Sequence, residues 1–333
     1  MKHMRNREIW LLAAAVCLAG AFLLSLCIGQ YPILPGDIAA VLTGGQVDAM
    51  TRKVFLTLRL ARTLMALFAG IGLGVAGSVY QTVFHNPLAS PDIIGVAPGA
   101  NMGAAAAIVF LGGSTFTMIG GAFLGGLLAV GVVLLFVKAT RQDTTVTYVL
   151  AGIVISAIAN AFIMILKTAA DPENQLAAIE YWAMGSFANV ILSKLAWVVP
   201  LLLCSLLGLF LLRRQIALLS LSEEECRALG VQVGRVRALI LGISTLLISS
   251  IICITGLISF IGLIAPHVAK LMLRRNTLAT AVLSGLVGGV VLLLADTLAR
   301  GLFSSEIPVS ILTTLIGVPI LVFFMFRKGS ARH

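Results

Sequence analysis

Charged residues are scarce in this chain. Asp, Glu, Lys and Arg make up 11% of its 333 residues, against a hydrophobic share of 59%. A soluble globular domain carries roughly 25% charged residues. The shortage excludes that class, and the long apolar runs that take the place of charge are typical of a protein with many membrane spans. We therefore expect an all-α integral membrane protein, with residues 1–333 forming one polytopic domain.

Acidic residues are the scarcer sign, since 13 Asp and Glu stand against 23 Lys and Arg, a net charge of +10. A basic surplus can indicate nucleic-acid binding, but basic runs with interleaved aromatic residues do not occur in the sequence. We expect no nucleic-acid partner. The surplus instead bears on topology, because short loops rich in Lys and Arg stay on the cytoplasmic side of a membrane.

Metal-binding and catalytic patterns are also missing. The five cysteines are odd in number, form no CxxC pair and lie mostly in apolar runs. The four histidines are scattered, and GxxxxGK[ST], HExxH and Ser-His-Asp patterns do not occur. The sequence therefore predicts no catalytic residue, no metal and no cofactor in this chain.

Ionisable residues within the apolar runs are nearly absent. Asp296 is the one clear case, and Arg300 lies four residues later, where the two side chains could pair on a helix. A proton- or sodium-driven carrier usually has more buried ionisable groups. We therefore expect the energy for any transport to come from elsewhere.

Apolar runs of about 20 residues predict ten transmembrane helices. The runs are about 9–29, 63–84, 93–111, 115–137, 146–166, 195–212, 237–255, 258–273, 278–299 and 309–326. The first lacks a convincing cleavage site, which favours an uncleaved helix over a signal peptide. The eighth is doubtful, because residues 236–273 number 38, whereas two full spans need about 40.

The distribution of positive charge favours ten spans. With the N-terminus inside, ten spans place 16 of the 23 Lys and Arg in cytoplasmic segments and seven outside. Omitting the eighth span gives 11 inside and 12 outside, which removes the bias. We therefore predict about ten transmembrane helices with both termini cytoplasmic.

Small residues recur within three of the predicted spans. Such spacing lets helix backbones approach closely, which is how helices associate in lipid. We interpret these residues as packing positions: Gly70, Gly72, Gly74, Gly77, Gly120, Gly121, Gly125, Gly126, Ser284, Gly285, Gly288 and Gly289.

A polar island covers about 213–237 between two apolar runs. Ser222 and Glu225 form a capping-box pattern, and Gly230 can end the helix that begins there. A second helix is expected to start near Gln232. The pattern predicts a rigid docking element at the membrane surface, with a solvated loop as the alternative.

On the opposite face, Asp171 and the following Pro predict an interfacial helix at about 172–187.

Four stretches, in the right order along the chain, carry a family resemblance. RLARTLMALFAGIGLGVAGSVYQTVFHNPLASPDIIGVAPGA resembles the second-span segment of the type II ABC importer permeases for iron–siderophores, haem and cobalamin, the FecCD/BtuC-like family. GLISFIGLIAPHVAKLMLRR resembles their eighth-span segment, and ADTLAR followed by EIPVSILTTLIGVPILVFFMFRK resembles their C-terminal end. Ala61 departs from the family pattern, which commonly has Pro between the two arginines.

The resemblance implies partners and a substrate class. It implies a type II importer permease fold in a bacterial or archaeal cytoplasmic membrane, with a second permease copy, two ATP-binding-cassette ATPases that bind ATP and Mg, and an extracytoplasmic binding protein. The cargo would be an iron chelate, most commonly a ferric siderophore, with haem, cobalamin and oxyanions such as molybdate open. An ion-gradient-driven secondary transporter and an ABC exporter remain the alternatives.

The resemblance also implies roles for particular residues. ATPase coupling is implied for Ser222, Glu223, Glu224, Glu225, Arg227, Gly230 and Arg235. Glu224, Gly230 and Ile240 keep the spacing of the broader importer signature, although Glu225-Cys226 replaces its two alanines. Binding-protein docking is implied for Arg59, Arg62 and Arg300, and a cytoplasmic gate for Thr144 and Thr145. The alternatives are interfacial anchoring for Arg59 and Arg62, and pairing with Asp296 for Arg300.

Overall fold

The computed structural model describes residues 2–273, 277–302 and 306–329, and in those ranges the regular structure is entirely helical. The α-helices are α1 Lys2–Cys27, α2 Pro35–Thr43, α3 Ala49–Lys53, α4 Leu60–Val83, α5 Val96–Phe110, α6 Thr115–Thr140, α7 Thr145–Ala169, α8 Gln175–Ala183, α9 Leu192–Leu211, α10 Arg213–Leu218, α11 Glu223–Ala228, α12 Val233–Thr255, α13 Ile261–Leu273, α14 Leu278–Gly301 and α15 Val309–Gly329.

A helix occupies each of the ten apolar runs. Within the described ranges, seven helical stretches are long and apolar enough to cross a membrane. The other three, Val96–Phe110, Ile261–Leu273 and Val309–Val322, are shorter. An all-helical membrane protein is therefore confirmed, while ten crossings and cytoplasmic termini stay predictions. The connection 274–276, which holds two of the counted arginines, lies outside the described residues.

Helix α4 is the central element of the fold. It continues without a break from α3 through a π-helical stretch, Val54–Arg59, so that residues 49–83 form one mostly buried helix. Ala61 lies within this helix and is fully buried. The helix extends well upstream of Arg62. Alanine at position 61, where the family pattern has proline, favours such a continuous helix, whereas proline would interrupt it.

The glycines of α4 bring it against α14. A Cβ added at Gly74 would lie 2.2 Å from the carbonyl oxygen of Ser284, and one at Gly70 would lie 2.5 Å from that of Gly288. Both neighbours are backbone atoms, which cannot rotate away. The predicted packing role is confirmed at these positions, and the resulting α4–α14 seam holds two long helices at close range.

A second glycine contact joins α5 and α6. A Cβ at Gly121 would lie 2.4 Å from the Gly103 carbonyl oxygen, and one at Gly125 would lie 2.3 Å from that of Gly99. Gly120 is different, because nothing lies within 4 Å of the Cβ position there. The packing interpretation therefore holds for Gly121 and Gly125 but not for Gly120.

Helix α8 is shorter than the predicted 172–187. The Asp171 carboxylate accepts from the backbone N–H of Asn174 at 3.1 Å, which closes a turn before the helix starts at Gln175. The helix stops at Ala183 because Gly185 takes φ +68°, a left-handed conformation. The flanking residues form turns instead of further helix.

Candidate coupling and docking sites

Helix α11 begins with the capping box that the sequence predicts. The Ser222 Oγ accepts from the Glu225 backbone N–H at 3.3 Å, and the Ser222 backbone N–H donates to the Glu225 carboxylate at 2.8 Å. The Ser222 hydroxyl donates to the same carboxylate at 2.8 Å. These hydrogen bonds, first from the backbone and then from the hydroxyl, lower the pKa of Glu225. The carboxylate therefore stays ionised at the positive end of the helix.

A glycine break separates α11 from α12. Gly230 has φ +76°, and α12 begins at Val233 with Gln232 as its N-cap residue. The predicted order of helix, glycine and helix is confirmed. Helix α10 was not predicted, because six residues offer too short a pattern and no cap residue marks the start.

The surface of this segment is charged and exposed. Glu224, Glu225, Arg227 and Arg235 are all solvent-exposed. Cys226 lies on the other side of α11, is buried, and directs its Sγ at 3.1 Å toward the Leu218 carbonyl oxygen. Helix α11 is thus fixed to the segment below it while its charged face stays open for a partner.

Arg237 is the residue that the sequence did not single out. Among the residues whose burial the structure describes, it is the largest side chain below 2% exposure. Its Nη2 lies 2.8 Å from the Glu223 carboxylate, and its Nη1 donates to the Asp143 carbonyl oxygen at 3.1 Å. The guanidinium carbon lies 5.5 Å from the centre of the Tyr148 ring. We call Arg237, Glu223, Asp143 and Tyr148 the Arg237 cluster.

The predicted gate residues adjoin the Arg237 cluster. Thr144 is the N-cap of α7, where its Oγ1 accepts from the Thr147 backbone N–H at 3.3 Å. Thr144 is exposed, and Thr145 is half-buried as the first residue of α7. Asp143 immediately precedes them, so the connection that holds the two threonines is in direct contact with Arg237.

The three predicted docking arginines lie together near the start of α4. Arg62 bridges two carboxylates, with Nε 2.8 Å from Asp296 and Nη1 2.7 Å from Glu306. Arg300 lies 3.4 Å from the other oxygen of Asp296, so the pairing that the sequence suggested is confirmed. Together with Arg59 these residues form what we call the Arg62 cluster.

The guanidinium groups of the Arg62 cluster are largely engaged within the chain. Arg59 donates to the backbone carbonyl oxygens of Ile28 and Tyr31, the latter at 2.9 Å. Arg59, Arg62 and Arg300 are 6%, 7% and 4% exposed. They still line one surface cavity together with Glu306. Docking therefore stays a prediction, and it requires a partner group that reaches into this cavity.

The two clusters lie at opposite ends of α4. Arg62 stands near its first residue, and its last turn leads to His85, whose ring nitrogen lies 3.1 Å from the carbonyl oxygen of Leu221 in the α10–α11 connection. At 1.5 Å per residue the helix separates them by roughly 30 Å. This is the hydrocarbon thickness of a membrane.

Comparisons with known proteins agree with this architecture. Residues 17–327 match the FecCD transport family. The chain is 37% identical over 314 residues to the molybdate import system permease protein MolB of Haemophilus influenzae, covering 92% of this chain and 93% of the relative. It is 31% identical to the vitamin B12 import system permease protein BtuC of Escherichia coli, covering 98% of each.

A solved structure agrees as well. A metal-chelate type ABC transporter in an inward-facing conformation superposes with a TM-score of 0.85 at 34% identity, covering 95% of this chain and 98% of that one. With the family match over nearly the whole length, this chain belongs to the FecCD transport family and is an ABC importer permease, a multi-pass protein of the inner membrane.

Proposed function

We propose that this chain forms a homodimeric channel for an iron chelate, driven by two copies of a separate ATPase and fed by an extracytoplasmic binding protein. The chain itself would catalyse nothing and hold no cofactor. The observation that carries the proposal is the α11 surface, because a capped, charged and exposed helix on a membrane protein is suited to docking a soluble partner.

The ATPase contact is assigned to residues 213–237, with Ser222, Glu223, Glu224, Glu225, Arg227, Gly230 and Arg235 as the predicted coupling residues. Helix α11 is held by its cap and by Cys226, so a partner that displaces it moves a preformed element. Co-purification of the permease with its ATPase tests this assignment. Loss of the complex on deletion of 223–228 is expected, and retention would contradict it.

The gate is assigned to Thr144 and Thr145 near the axis of a dimer. Helix α7, which they begin, exposes an apolar face that includes Val146, Leu150 and Ile153. Such a face can pack against a second copy in the membrane. Cross-linking of single cysteines placed at Leu150 would support this arrangement, whereas a monomeric permease with full transport would overturn it.

Binding-protein docking is assigned to the cavity lined by Arg59, Arg62 and Arg300. Three guanidinium groups against the carboxylates of Asp296 and Glu306 leave one net positive charge. An acidic side chain of the binding protein could neutralise it. Affinity should fall as salt rises, because exposed charges are screened beyond about 8–10 Å at physiological ionic strength.

Arg59 offers the cleaner variant for this test, because its guanidinium bonds to backbone carbonyl groups and is not needed to neutralise Asp296. Arg59→Gln should weaken binding of the purified binding protein to reconstituted permease and flatten the salt dependence. Unchanged affinity together with salt-insensitive binding would leave interfacial anchoring as the role of these arginines.

Two observations favour an iron chelate. Relatives at 30–33% identity are permeases for Fe(3+)-citrate in Bacillus subtilis and for hemin in Yersinia pestis. The solved structure with a TM-score of 0.85 is described as a metal-chelate type transporter. Molybdate is the second candidate, favoured by the 37% identity to MolB. Fluorescence titration of the partner binding protein with ferric siderophores, hemin, cobalamin and molybdate separates them. Uptake that needs a proton gradient and no ATP would overturn the whole scheme.

A further inference from the structure

We propose that Arg237 is a positioning residue that transmits displacement of α11 to the connection between α6 and α7. The inference deepens the proposed function, on which it rests, because α11 is displaced only if the ATPase docks there. It starts from one fact of geometry. A single guanidinium group on the second turn of α12 contacts both segments, Glu223 on α11 and Asp143 in the connection.

The planar guanidinium makes this arrangement possible. Its Nη2 donates to Glu223, while its Nη1 donates to the Asp143 carbonyl oxygen and lies 3.6 Å from the Asp143 carboxylate. One terminal nitrogen of the guanidinium thus contacts the α6–α7 connection, and the other contacts α11. A lysine ammonium is a compact charge on a flexible stem and cannot hold both partners in fixed directions.

Gly234 provides a second contact between α12 and the connection that contains Asp143. A Cβ at this position would lie 1.5 Å from a carboxylate oxygen of Asp143. The carboxylate therefore rests directly on the first turn of α12, where the helix dipole favours negative charge. A side chain at this position would have to displace the carboxylate, so the first two turns of α12 contact Asp143 at both Gly234 and Arg237.

The connection that receives the displacement is short. Asp143 is followed directly by Thr144, which caps α7, so a shift of Asp143 moves the start of that helix. On the other side, Glu223 is the first residue of α11 and ties it to a long helix by an ion pair. Movement of α11 is thereby carried across Arg237 to the predicted gate.

The burial pattern separates this role from a merely structural one. Arg237 is 1% exposed, but the side chains of Glu223 and Asp143 are 29% and 39% exposed. If Arg237 is replaced by Met, both carboxylates keep the contact with water that their partly exposed side chains already have, and the methionine side chain can fill the space of the arginine stem. The variant should fold while the two segments lose their link.

The test uses the complete transporter in proteoliposomes, with its ATPase and binding protein, and measures transport and ATP hydrolysis on the same sample. Arg237→Met should lower transport tenfold or more, with ATP hydrolysis within twofold of wild type. ATPase binding should be unchanged, because the Arg237 side chain is buried beneath the exposed surface of 213–237 and is not available to the ATPase. Arg237→Lys should give the same uncoupling to a smaller degree. Arg7→Gln is the matched control, an exposed arginine on α1 outside the cluster and outside the connection, and it should transport normally.

One further variant keeps the inference falsifiable if Arg237→Met folds poorly. Gly234→Ala displaces Asp143 without removing any charge and should also uncouple. A cysteine introduced at the exposed Gln142 reports movement of the α6–α7 connection through its rate of labelling by a thiol reagent. In the otherwise wild-type permease this rate should change when nucleotide binds the ATPase. In Arg237→Met the change should vanish.

The outcomes distinguish this inference from the proposed function. Should the wild-type permease fail to bind an ATPase at all, the proposed function is wrong. If wild type couples normally and Arg237→Met keeps both transport and the labelling change at Gln142, only the linkage is wrong. A proportional loss of transport and hydrolysis in Arg237→Met and Gly234→Ala would also overturn it, because that result indicates a defect in docking.

Discussion

The Arg62 cluster and the Arg237 cluster both bury arginine among carboxylates, but they join different kinds of element. Arg62 and Asp296 connect α4 to α14, two long helices already held together by the α4–α14 seam. Arg237 connects a six-residue helix to a short connection. An ion pair between rigid helices acts as a brace. The same chemistry between short elements can transmit displacement, because those elements can move as units.

The carboxylates that pair with arginine in the two clusters also differ in their exposure to solvent. Asp296 is fully buried, whereas the side chains of Glu223 and Asp143 are about one third exposed, at 29% and 39%. Removing a partner from a buried pair leaves an uncompensated charge with no access to water. At the exposed carboxylates water can take the place of the lost partner. Loss of a carboxylate should therefore destabilise the Arg62 cluster, and loss of Arg237 should chiefly uncouple.

The largest effect is expected for Asp296→Ala, which leaves Arg62 and Arg300 buried without the carboxylate they share. Breaking a buried pair costs about 3–5 kcal/mol. We expect little folded protein and a clearly lower Tm in detergent. Glu306→Ala is the matched control, because it removes the other partner of Arg62 at a side chain 37% exposed, where a pair is worth about 0–1 kcal/mol. Equal stability of the two variants would contradict the brace.

The next largest effect on stability is expected at the α4–α14 seam, which lies beside the Arg62–Asp296 ion pair. Gly74→Ala places a Cβ against the carbonyl oxygen of Ser284 at 2.2 Å, which forces α4 and α14 apart. Overpacking of this kind costs about 1–3 kcal/mol, seen as a lower Tm. Gly131→Ala on α6 meets nothing within 4 Å and should be neutral or slightly stabilising, since alanine favours a helix. If Gly74→Ala and Gly131→Ala have the same Tm, the α4 and α14 backbones are not in close contact at Gly74.

Local patterns account for what the sequence could predict. The capping box at Ser222, the break at Gly230 and the pair of Asp296 with Arg300 each involve residues at most a few positions apart, where spacing alone implies contact. The ten helices follow from apolar length. Glycine spacing also indicated close helix packing, although it could not name the partner helix.

Contacts between distant segments account for what the sequence could not predict. Arg62 and Asp296 are 234 residues apart, and Arg237 and Asp143 are 94 apart. Nothing in the spacing of either pair reveals the contact, because helix packing decides it. For the same reason the burial of Arg237 was not foreseen, since a charged residue in a polar island ordinarily faces water. Its position in the second turn of α12, on the face that Ile240 also occupies, was the available signal.

A smaller effect is expected for Gly230→Val, which tests the hinge beside the Arg237 cluster. The left-handed conformation at φ +76° costs a residue with a Cβ about 1–2 kcal/mol. Space is not the cause, because nothing lies within 4 Å of the Cβ position. The variant should insert normally but lose ATPase stimulation and transport. Gly230→Asn, which tolerates this conformation, should retain most of both; equal loss in Asn and Val would point to a side-chain contact instead.

The smallest effect concerns the cap of α11. Ser222→Ala removes the hydroxyl that accepts from the Glu225 backbone N–H and donates to its carboxylate. Loss of an N-cap costs about 1 kcal/mol, which the long helices would not feel, so the overall Tm should stay unchanged. Hydrogen exchange of 223–228 should rise several-fold instead, with a modest fall in ATPase stimulation.

The cap also gives α11 a pH dependence with a fixed sign. The pKa of Glu225 is lowered in the folded state, so its contribution is present above the ordinary glutamate pKa and is lost as pH falls through the lowered value. Exchange of 223–228, corrected for the intrinsic rate, should therefore rise on acidification in wild type. Ser222→Ala should show a weaker dependence, because only the backbone donor remains. Ser222→Thr keeps the hydroxyl and should restore slow exchange near neutral pH. Exchange that does not depend on either substitution or pH would mean that Cys226 and Arg237, and not the cap, hold α11 in place.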